Sequence, residues 1–500
     1  MSQAAALAIT RGYLASNEAA YRRDKAAANA QAATRVGARR AQAATLAPVQ
    51  VSGFDGSVDP NSAPSDSTSN VGSTRFIELV NTKIAIYNKT STVPLSTGTL
   101  NDLAGASGNA FDPQIMWDAQ TNRFYYAMDV SVSATTNLVA LGFSKTASPN
   151  NATTAFCHYN VNFGADLPDY PKLGDSQFFW IVGSNVFNSA EAFLGSDLFA
   201  LSKPGSAAIT TCPAVSSFKF GEGFNLQDPN GQQAFTPVPA NEIDNNAVGY
   251  VTARTGSLPS TRLSIHRVTR NATTGNPVFQ MNGTAVVVPS YAVPPSAPQR
   301  SGFANSAKTI DTMDARPTQS VAAIDPAHNN AFGLWVQHTT ATSPAGRSEV
   351  RWYEINAQPT TNALVQRGKA TNAAYFAFNG AISPDRARNG STLSFGGNMV
   401  LGFDTSATTS FPAVRMLSKL GTATQSGHVL VRSSAGNYGG FDCAGADNSC
   451  RWGDYAGASP DPIAATGATS GRIWSTSQYA SGVNNSAQAN WKTWNWIATP

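Results

Sequence analysis

From Thr74 to the end of the chain, short apolar or alternating segments are separated by residues that form turns. Representative segments are residues 123–130, 178–187, 331–338 and 349–355. Their aromatic and β-branched residues favour strands, and the Gly, Pro, Asn and Asp between them favour turns. No helical pattern of about 10–15 residues recurs between the segments, so a parallel sheet with crossover helices is disfavoured. The pattern predicts an antiparallel all-β fold.

The first 73 residues have a different composition. Residues 1–46 are rich in Ala and Arg and reach no proline before Pro48, which predicts a basic helical segment. Its apolar positions are sparse, so the helix would be weak alone and needs a partner surface. It is either an anchoring or oligomerising segment, which docks on a partner or self-associates, or a frayed tail. Residues 47–73 are mostly Pro, Ser, Asp and Asn and are predicted to be a linker. Residues 74–500 then form the β domain.

A degenerate repeat runs through the β domain. An Asp-Pro pair precedes an aromatic strand at Asp112-Pro113, Asp325-Pro326 and Asp461-Pro462, with a related piece at Asp169-Tyr170-Pro171. Repeated hairpins of this kind are typical of propeller blades. At about 65–75 residues per unit, the pattern predicts a six-bladed β-propeller, with seven blades as the alternative.

The charge distribution excludes several classes of protein. Charged residues make up 13% of the chain, and its net charge is +4. Residues 2–46 alone have a larger positive net charge than the whole chain, so the rest is slightly negative. The nearly neutral β domain lacks the basic face that nucleic-acid binding needs. No apolar run approaches the roughly 18 residues of a membrane span, so no transmembrane insertion is expected. Without a Walker or Rossmann motif no organic cofactor is expected, whereas a structural calcium ion stays open and no metal ligands are assigned.

The start of the chain shows no secretory signal, because the apolar stretch at residues 4–9 is too short. A surface poor in charge and rich in Ser, Thr, Asn and Gly is nevertheless typical of an extracellular, cell-surface or virion protein. Four cysteines allow three pairings. We expect disulfides between Cys443 and Cys450, which close a short loop, and between Cys157 and Cys212. Zinc binding is the weaker alternative, since the chain has no CxxC and its histidines are scattered.

Four segments carry a resemblance to a known family. They are VGSTRFIELVNTKIAIYNK, FDPQIMWDAQTNRFYYAM, DYPKLGDSQFFWIVGSNVF and RWGDYAGASPDP with GRIWSTSQYA. Over residues 70–498 they resemble the sialidase-like (BNR-type) β-propellers of secreted and surface-exposed bacterial proteins. The resemblance implies a closed ring in which residues 75–88 complete the blade that contains residues 491–498.

The same resemblance bears on activity. Sialidases of this fold carry a Ser-x-Asp-x-Gly-x-x-Trp motif, and the nearest match here, residues 445–452, keeps only Asp447 and Trp452. Sialidases also use a Tyr activated by a Glu, an acid/base Asp and three Arg that grip a carboxylate, and other glycosidases use two placed carboxylates. Candidate groups are Arg316 with Asp311 and Asp314, Tyr353 with Glu354, and Arg451 with Asp454 and Tyr455. None of these spacings identifies a catalytic residue.

The candidate ligand-binding residues are Asp454, Arg451, Asp112 and Arg316. Asp454 is either a carboxylate at the central mouth of the ring, binding a ligand or cation near Asp112, or an ordinary turn cap. The tryptophans at 474, 491, 494 and 496 form either a sugar-stacking platform or a layer between blades.

The sequence predicts a non-catalytic extracellular or particle-borne binding or scaffold module, for instance in adhesion, that presents glycan- or protein-binding loops. One alternative is an enzyme, a sialidase-like glycoside hydrolase. Another is a phage virion structural or receptor-binding protein, whose N-terminal segment docks into the particle. A mouth with several Arg and paired acids favours the enzyme, whereas a channel lined by Ser, Thr, Asn and aromatic groups favours binding.

Overall fold

The computed structural model describes residues 14–33, 47–343, 346–358, 360–388, 395–444, 448–482 and 488–500, together with the backbone of Ala8–Ile9. Within these ranges the strands form seven large, mainly antiparallel sheets of four or five strands, and two small ones. The all-β prediction is confirmed. We number the large sheets 1 to 7 in the order of their first full-length strands.

Sheet 1 contains Thr68–Val71, Arg75–Val80, Lys83–Asn88 and Pro94–Thr99. Sheet 2 contains Asn109–Asp118, Arg123–Ser133, Thr136–Ser144 and Phe156–Gly164. Sheet 3 contains Leu167–Asp175, Phe179–Phe187, Phe193–Ser202 and Phe220–Gly223. Sheet 4 contains Phe235–Pro239, Gly249–Arg254, Ser260–Arg270, Pro277–Phe279 and Thr284–Tyr291.

Sheet 5 contains Asn241–Glu242, Pro317–Asp325, Ala331–Ala341, Ser348–Ala357 and Asn362–Ala370. Sheet 6 contains Phe376–Pro384, Asn398–Ala407, Ser410–Leu420 and Val429–Ser433. Sheet 7 contains Gly457–Pro460, Ile473–Ala480, Trp491–Thr499 and Val49–Asp55. The small sheets pair Ala8–Ile9 with Ser62–Ala63, and Thr309–Ile310 with Ala297–Pro298 and Ser449–Cys450. The helices are Glu18–Ala33 and Leu100–Ala104, and the 3-10 helices are Val215–Ser217, Pro326–His328 and Phe441–Ala444.

The sheets are arranged in a closed ring. We call the following strands the inner strands: Thr68–Val71, Asn109–Asp118, Leu167–Asp175, Phe235–Pro239, Pro317–Asp325, Phe376–Pro384 and Gly457–Pro460. Each inner strand contacts the inner strand of the next sheet, and that of sheet 7 contacts that of sheet 1. The inner strands therefore surround a common axis.

Each sheet is covered on both faces by its neighbours, which explains the nearly continuous apolar runs in the sequence. On sheet 2, Phe124 and Tyr126 pack in one core cluster with Ile77 of sheet 1. The residue between them, Tyr125, packs in another cluster with Trp180 of sheet 3. Because successive side chains of a strand point to opposite faces, both sets are buried and the alternation with polar residues is lost.

The strand that closes the ring differs from the prediction. Val49–Asp55 pairs antiparallel with Trp491–Thr499, whereas residues 75–88 are two strands of sheet 1 joined by a turn. The prediction of the closing strand is therefore wrong, and so is the interpretation of residues 47–73 as a linker. Residues 62–71 are all buried, and the polar residues 68–70 line the axis of the ring.

The N-terminal helix Glu18–Ala33 packs on the body of its own chain. Lys25 Nζ donates hydrogen bonds to Thr312 Oγ1 at 2.9 Å and to the Met313 carbonyl at 3.0 Å, and it lies 3.0 Å from Asp311 Oδ1. The predicted helix is confirmed in this range, whereas Ala8–Ile9 is a strand that pairs with Ser62–Ala63. Residues 1–7, 10–13 and 34–46 lie outside the described part of the chain. Docking of the segment on a partner stays a prediction.

Both expected cysteine pairs lie at disulfide distance. The Cα atoms are 5.5 Å apart for Cys157 and Cys212, and 4.1 Å apart for Cys443 and Cys450. This pairing accounts for all four cysteines and leaves none for zinc. In the described part of the chain, no helix has the length and apolar character needed to cross a membrane.

Candidate functional site

A residue with positive φ lies near the start of each inner strand, with φ between 43° and 69° at six of them and 157° at Gly453. The residues with positive φ at these seven points are Asp66, Asp112, Tyr170, Thr236, Ala315, Asn379 and Gly453. A left-handed conformation costs about 1–3 kcal/mol for a residue other than glycine, so its repetition marks a constrained region. We call this end of the axis the mouth.

Charged side chains from five sheets and their connections converge at the mouth. We call this set the axial cluster: Asp66, Asp112, Asp169, Lys172, Asp311, Asp314, Arg316, Arg451 and Asp454. It contains all four residues that the sequence predicts for ligand binding. Linear spacing could not show this, because the members are supplied by different sheets.

Asp454 contacts residues from three separate parts of the chain. Its carboxylate forms an ion pair with Arg451, its backbone N–H donates to Asp66 Oδ1 at 2.8 Å, and its carbonyl accepts from the Tyr170 hydroxyl at 2.7 Å. The carboxylate therefore binds a guanidinium and does not cap its own turn. Asp447, from the degenerate sialidase motif, lies outside the described residues.

Arg316 is fully buried and its partners belong to the same chain. Its Nε donates to Asp314 Oδ1 at 2.9 Å and a terminal nitrogen donates to the Leu14 carbonyl at 2.7 Å. The guanidinium also stacks 4.7 Å from the ring centroids of Tyr170 and Phe235. These contacts occupy the groups that would otherwise grip the carboxylate of a substrate.

Lys172 lies between two aromatic rings. Its Nζ is 4.0 Å from the ring centroid of Tyr170 and 3.7 Å from that of Tyr455, and it has no hydrogen-bond acceptor among the described residues. Burial lowers the pKa of Lys172 well below its ordinary value, although Asp112 and Asp454 oppose this. The Tyr455 hydroxyl donates to Asp112 Oδ2 at 3.0 Å, so Tyr455 contacts both Lys172 and Asp112.

Several carboxyl groups of the axial cluster have shifted pKa values. Burial, followed by repulsion from Asp169 and Asp454, raises the pKa of Asp112 to about 7. Burial likewise raises the pKa of Asp169 to about 7, and it raises the pKa of Asp66 well above the usual range. Burial alone would raise the pKa of Asp311 too, but Lys25 and Arg451 outweigh it and lower that pKa.

These shifts predict that the protein loses stability as the pH rises from about 4 to about 7. Asp112 binds a proton more tightly folded than unfolded, so deprotonation in this range favours unfolding. Asp112→Asn removes the charge, and Asn tolerates the positive φ of this position. In urea unfolding at pH 8 we expect the variant to be more stable than the wild type by about 1–3 kcal/mol, with the gain vanishing near pH 4. The exposed Glu191→Gln is the control, and a pH dependence of D112N equal to that of the wild type would contradict the prediction.

The structure also corrects the sequence repeat. Asp112-Pro113 and Tyr170-Pro171 occupy equivalent positions at the mouth. Asp325 and Asp461 lie instead at the other end of their inner strands, where they accept backbone N–H groups from Ala327 and Ile463. Asp118 of sheet 2 is their counterpart, because it accepts from Gln120 in the same turn. The repeat thus mixes two different positions of the blade.

Asp66, Asp169 and Lys172 also belong to the axial cluster, although they were not predicted as site residues from the sequence. Asp169-Tyr170-Pro171 carried a usable signal, since it matches the pattern of Phe111-Asp112-Pro113. Nothing comparable marks Asp66, which lies in the polar segment that composition assigns to a linker.

The axis itself offers little room. Below the mouth, a cavity of about 30 Å³ is lined mainly by polar side chains of the inner strands. They include Thr68, Ser69, Asn70, Gln114, Asn241, Thr318, Gln319 and Ser320. The volume holds about one water molecule, so no sugar fits there. The lining meets only the polar part of the pattern that we associated with binding, because none of the described lining residues is aromatic.

A larger cavity lies on the outside of sheets 2 and 3. This outer groove measures about 340 Å³ and is lined by Phe163, Leu194 and Phe224 together with Asp166, Asp197 and Glu222. Phe224 is 59% exposed and Leu194 40%. Burial raises the pKa of Asp197 to about 6, against the hydrogen bond from the Asn225 backbone, with smaller contributions from Glu222 and Asp166. None of these residues is part of a motif in the sequence.

The tryptophans near the C-terminus fill the space between sheets. Trp474 lies 5.0 Å from the Phe76 ring of sheet 1, and Trp496 packs with Val400 and Met416 of sheet 6. Trp491 is buried, with its indole N–H donating to the Ser62 carbonyl at 2.8 Å. The packing alternative holds for these three residues, and they form no sugar-stacking platform.

Comparisons with known proteins give no family. No family model and no curated protein matches the chain. Among solved structures, a mutant of Synechocystis apocarotenoid oxygenase is 10% identical with a TM-score of 0.39, covering 73% of this chain and 71% of that one. Trypanosoma rangeli sialidase is 9% identical with a TM-score of 0.39, covering 78% and 55%. A GH43_1 enzyme from Xanthomonas citri in complex with xylotriose is 10% identical with a TM-score of 0.31, covering 68% and 96%. Since every score is below 0.5, we draw no functional conclusion from them.

Proposed function

We propose that this protein is a non-catalytic binding module built on a seven-bladed β-propeller. The ring of seven sheets, with one inner strand each around the axis, supports seven blades over six. Closure of the last sheet by Val49–Asp55 supports a ring held together by both ends of the chain.

The observation that carries the non-catalytic proposal is the occupied mouth. Both predicted arginines form ion pairs with neighbouring acids, Arg316 with Asp314 and Arg451 with Asp454. The segment before the N-terminal helix and Lys25 of the helix cover the same end of the axis. A site for an acidic sugar needs unpaired cations that face an open cavity. Arg316 and Arg451 are paired with carboxylates of the cluster, and Lys172, which packs between two aromatic rings, lines a cavity of only about 30 Å³.

The outer groove is the proposed binding surface, and a neutral glycan is the proposed ligand. Exposed Phe224 and Leu194 provide apolar surface against which the C–H face of a sugar can pack. Asp166, Asp197 and Glu222 provide acceptors for its hydroxyl groups. The negative charge of the three acids disfavours sialic acid and other anionic sugars.

A glycan array tests this proposal. We expect the wild type to bind neutral oligosaccharides and Phe224→Ala to lose at least about tenfold in affinity, since truncation of a central aromatic contact costs more than about 1 kcal/mol. Phe220→Ala is the matched control, because Phe220 is 41% exposed on the same strand segment and does not line the groove. Absence of neutral-glycan binding, or equal loss in both variants, would contradict the proposal.

A panel of fluorogenic glycosides tests the glycoside hydrolase alternative. We expect no turnover above background by the wild type. Turnover that Asp112→Asn abolishes would establish a catalytic axial cluster and overturn the non-catalytic proposal. An extracellular location is proposed with the function, and two cysteine pairs at disulfide distance are compatible with it. A virion role stays a prediction, for which no structural observation speaks.

A further inference from the structure

Three potential metal ligands meet at the end of sheet 5 opposite the mouth. Asp325 ends the inner strand, and His328 ends the 3-10 helix Pro326–His328 that follows it. A 3-10 helix has about three residues per turn, so Asp325 and His328 lie on the same side of it. Glu354 comes from the strand Ser348–Ala357 of the same sheet.

The ligand atoms converge. His328 Nδ1 is 2.5 Å from Asp325 Oδ2 and 3.7 Å from Glu354 Oε2. One ligand atom from each of the three residues lies within 4.8 Å of the other two. Metal–oxygen and metal–nitrogen bonds of about 2.0–2.2 Å place ligands some 3–4 Å apart, and the 3.7 Å between His328 Nδ1 and Glu354 Oε2 fits this spacing. The 2.5 Å contact between His328 Nδ1 and Asp325 Oδ2 is a hydrogen bond, so these two atoms must separate to bind the same ion.

We propose that Asp325, His328 and Glu354 bind one divalent transition-metal ion, with Zn²⁺ as the best fit. An imidazole nitrogen and two carboxylate oxygens are zinc-type ligands, whereas the imidazole disfavours calcium and magnesium. Three protein ligands leave a fourth position for water. The site is remote from the axial cluster and from the outer groove, so it does not depend on the function proposed above.

The charge of the site favours a cation. Asp325 and Glu354 are 0% and 1% exposed, and two buried carboxylates this close repel each other. Lys419 is the nearby basic group, but its ammonium donates to the Gly421 carbonyl. Within the described residues, no Lys or Arg forms an ion pair with either carboxylate, and only His328 does. A bound dication would compensate both acids.

The surroundings leave room for the ligands and orient them. A Cβ at Gly333 would lie 2.5 Å from Glu354 Oε1, and one at Gly397 would lie 2.9 Å from Asp325 Oδ1, so side chains at these positions would displace the carboxylates. The Gln366 side chain donates to Glu354 Oε2 at 2.5 Å, as an outer partner that fixes a ligand does. The His328 side chain is 24% exposed and provides access from solvent.

The test is titration of the chelator-treated, desalted full-length protein with ZnCl₂ in a calorimeter. We expect one equivalent to bind and to raise the thermal midpoint. Glu354→Gln and His328→Gln are each expected to weaken binding at least about 100-fold, because each removes a ligand while keeping the size and polarity of the side chain. His158→Gln is the control, since His158 is a half-buried histidine of sheet 2 without neighbouring carboxylates among the described residues.

Visible absorption of the Co²⁺-loaded protein gives an independent readout, and we expect its d–d bands in the wild type and in H158Q only. Circular dichroism without metal shows whether each variant is folded. If the buried Glu354→Gln variant fails to fold, the half-exposed His328→Gln variant decides the question. No Zn²⁺ binding by the wild type, unchanged affinity in folded H328Q, or preference for Ca²⁺ over Zn²⁺ would overturn the proposal.

Discussion

A chain that begins at Gly56 is expected to lose about 5 kcal/mol of stability or more, or to fail to fold, relative to a chain that begins at Ala47. The shorter chain lacks Val49–Asp55, whose six register pairs join it to the last strand of the protein. Each ladder hydrogen bond contributes about 1 kcal/mol net, and the loss would leave the edge of Trp491–Thr499 unpaired.

Side-chain contacts of the closing strand add to the effect. Phe54 lies 5.3 Å from the ring of Tyr87 and 6.3 Å from that of Phe76, both on sheet 1. Asp55 Oδ1 accepts a hydrogen bond from the Tyr479 hydroxyl at 2.7 Å. The strand therefore connects sheet 7 to sheet 1 as well as completing it.

Thermal and urea unfolding of the two truncations, with cysteines left oxidised, measure the difference. Both truncations lack the N-terminal helix, so the comparison isolates the closing strand. The point variant Phe54→Ala in the full chain is expected to lose about 2–4 kcal/mol, because large-to-small changes at a partly buried aromatic remove its packing. Equal stability of the two truncations would show that the ring does not depend on this strand.

Replacement of Arg451 by Gln is expected to destabilise the protein by about 3–5 kcal/mol at pH 8, since removing one partner leaves buried charge uncompensated. Burial alone would lower the pKa of Arg451, but Asp454, Asp66 and Asp311 outweigh it and raise that pKa. Without the guanidinium, these carboxylates repel one another. The loss should shrink as the pH falls below about 7, where Asp112 and Asp169 take up protons.

Urea unfolding of R451Q at pH 8 and pH 5 checks this expectation. Arg472→Gln is the matched control, because Arg472 is exposed and close in sequence. Adding Asp454→Asn to R451Q should restore part of the stability, as expected when the two side chains form a coupled pair. A pH-independent loss in R451Q, with no recovery in the double variant, would mean that Arg451 acts through packing alone.

The positions of the strands and the cysteine pairing could be predicted, because both depend on local signals. Turn residues flank the apolar runs, and the short loop between Cys443 and Cys450 restricts the pairing.

The closing strand was not predicted, because it carries no such local signal. Val49–Asp55 is short, mostly exposed and surrounded by Ser, Pro and Asp, so its composition matches that of a linker. Its partner lies more than 400 residues away in the chain.

The candidate site shows the same division. Asp112, Arg316, Arg451 and Asp454 could be selected as residue types, but only contacts between sheets show that they meet and that Arg316 is paired with Asp314. His328 is one of five scattered histidines in the sequence, and it becomes a possible ligand because Glu354 lies beside it on the folded sheet.

The sequence by itself determined an all-β domain with disulfide-spaced cysteines and a helical N-terminal segment. Hydrophobic periodicity and turn residues act over a few positions, so they can be recognised in the sequence without knowledge of the tertiary structure. Only the tertiary structure decided which strand closes the ring, that the two arginines at the mouth are paired with neighbouring acids, and where acids and a histidine are left together. Those outcomes depend on which side chains share a buried volume, and burial determines whether a charge needs a partner.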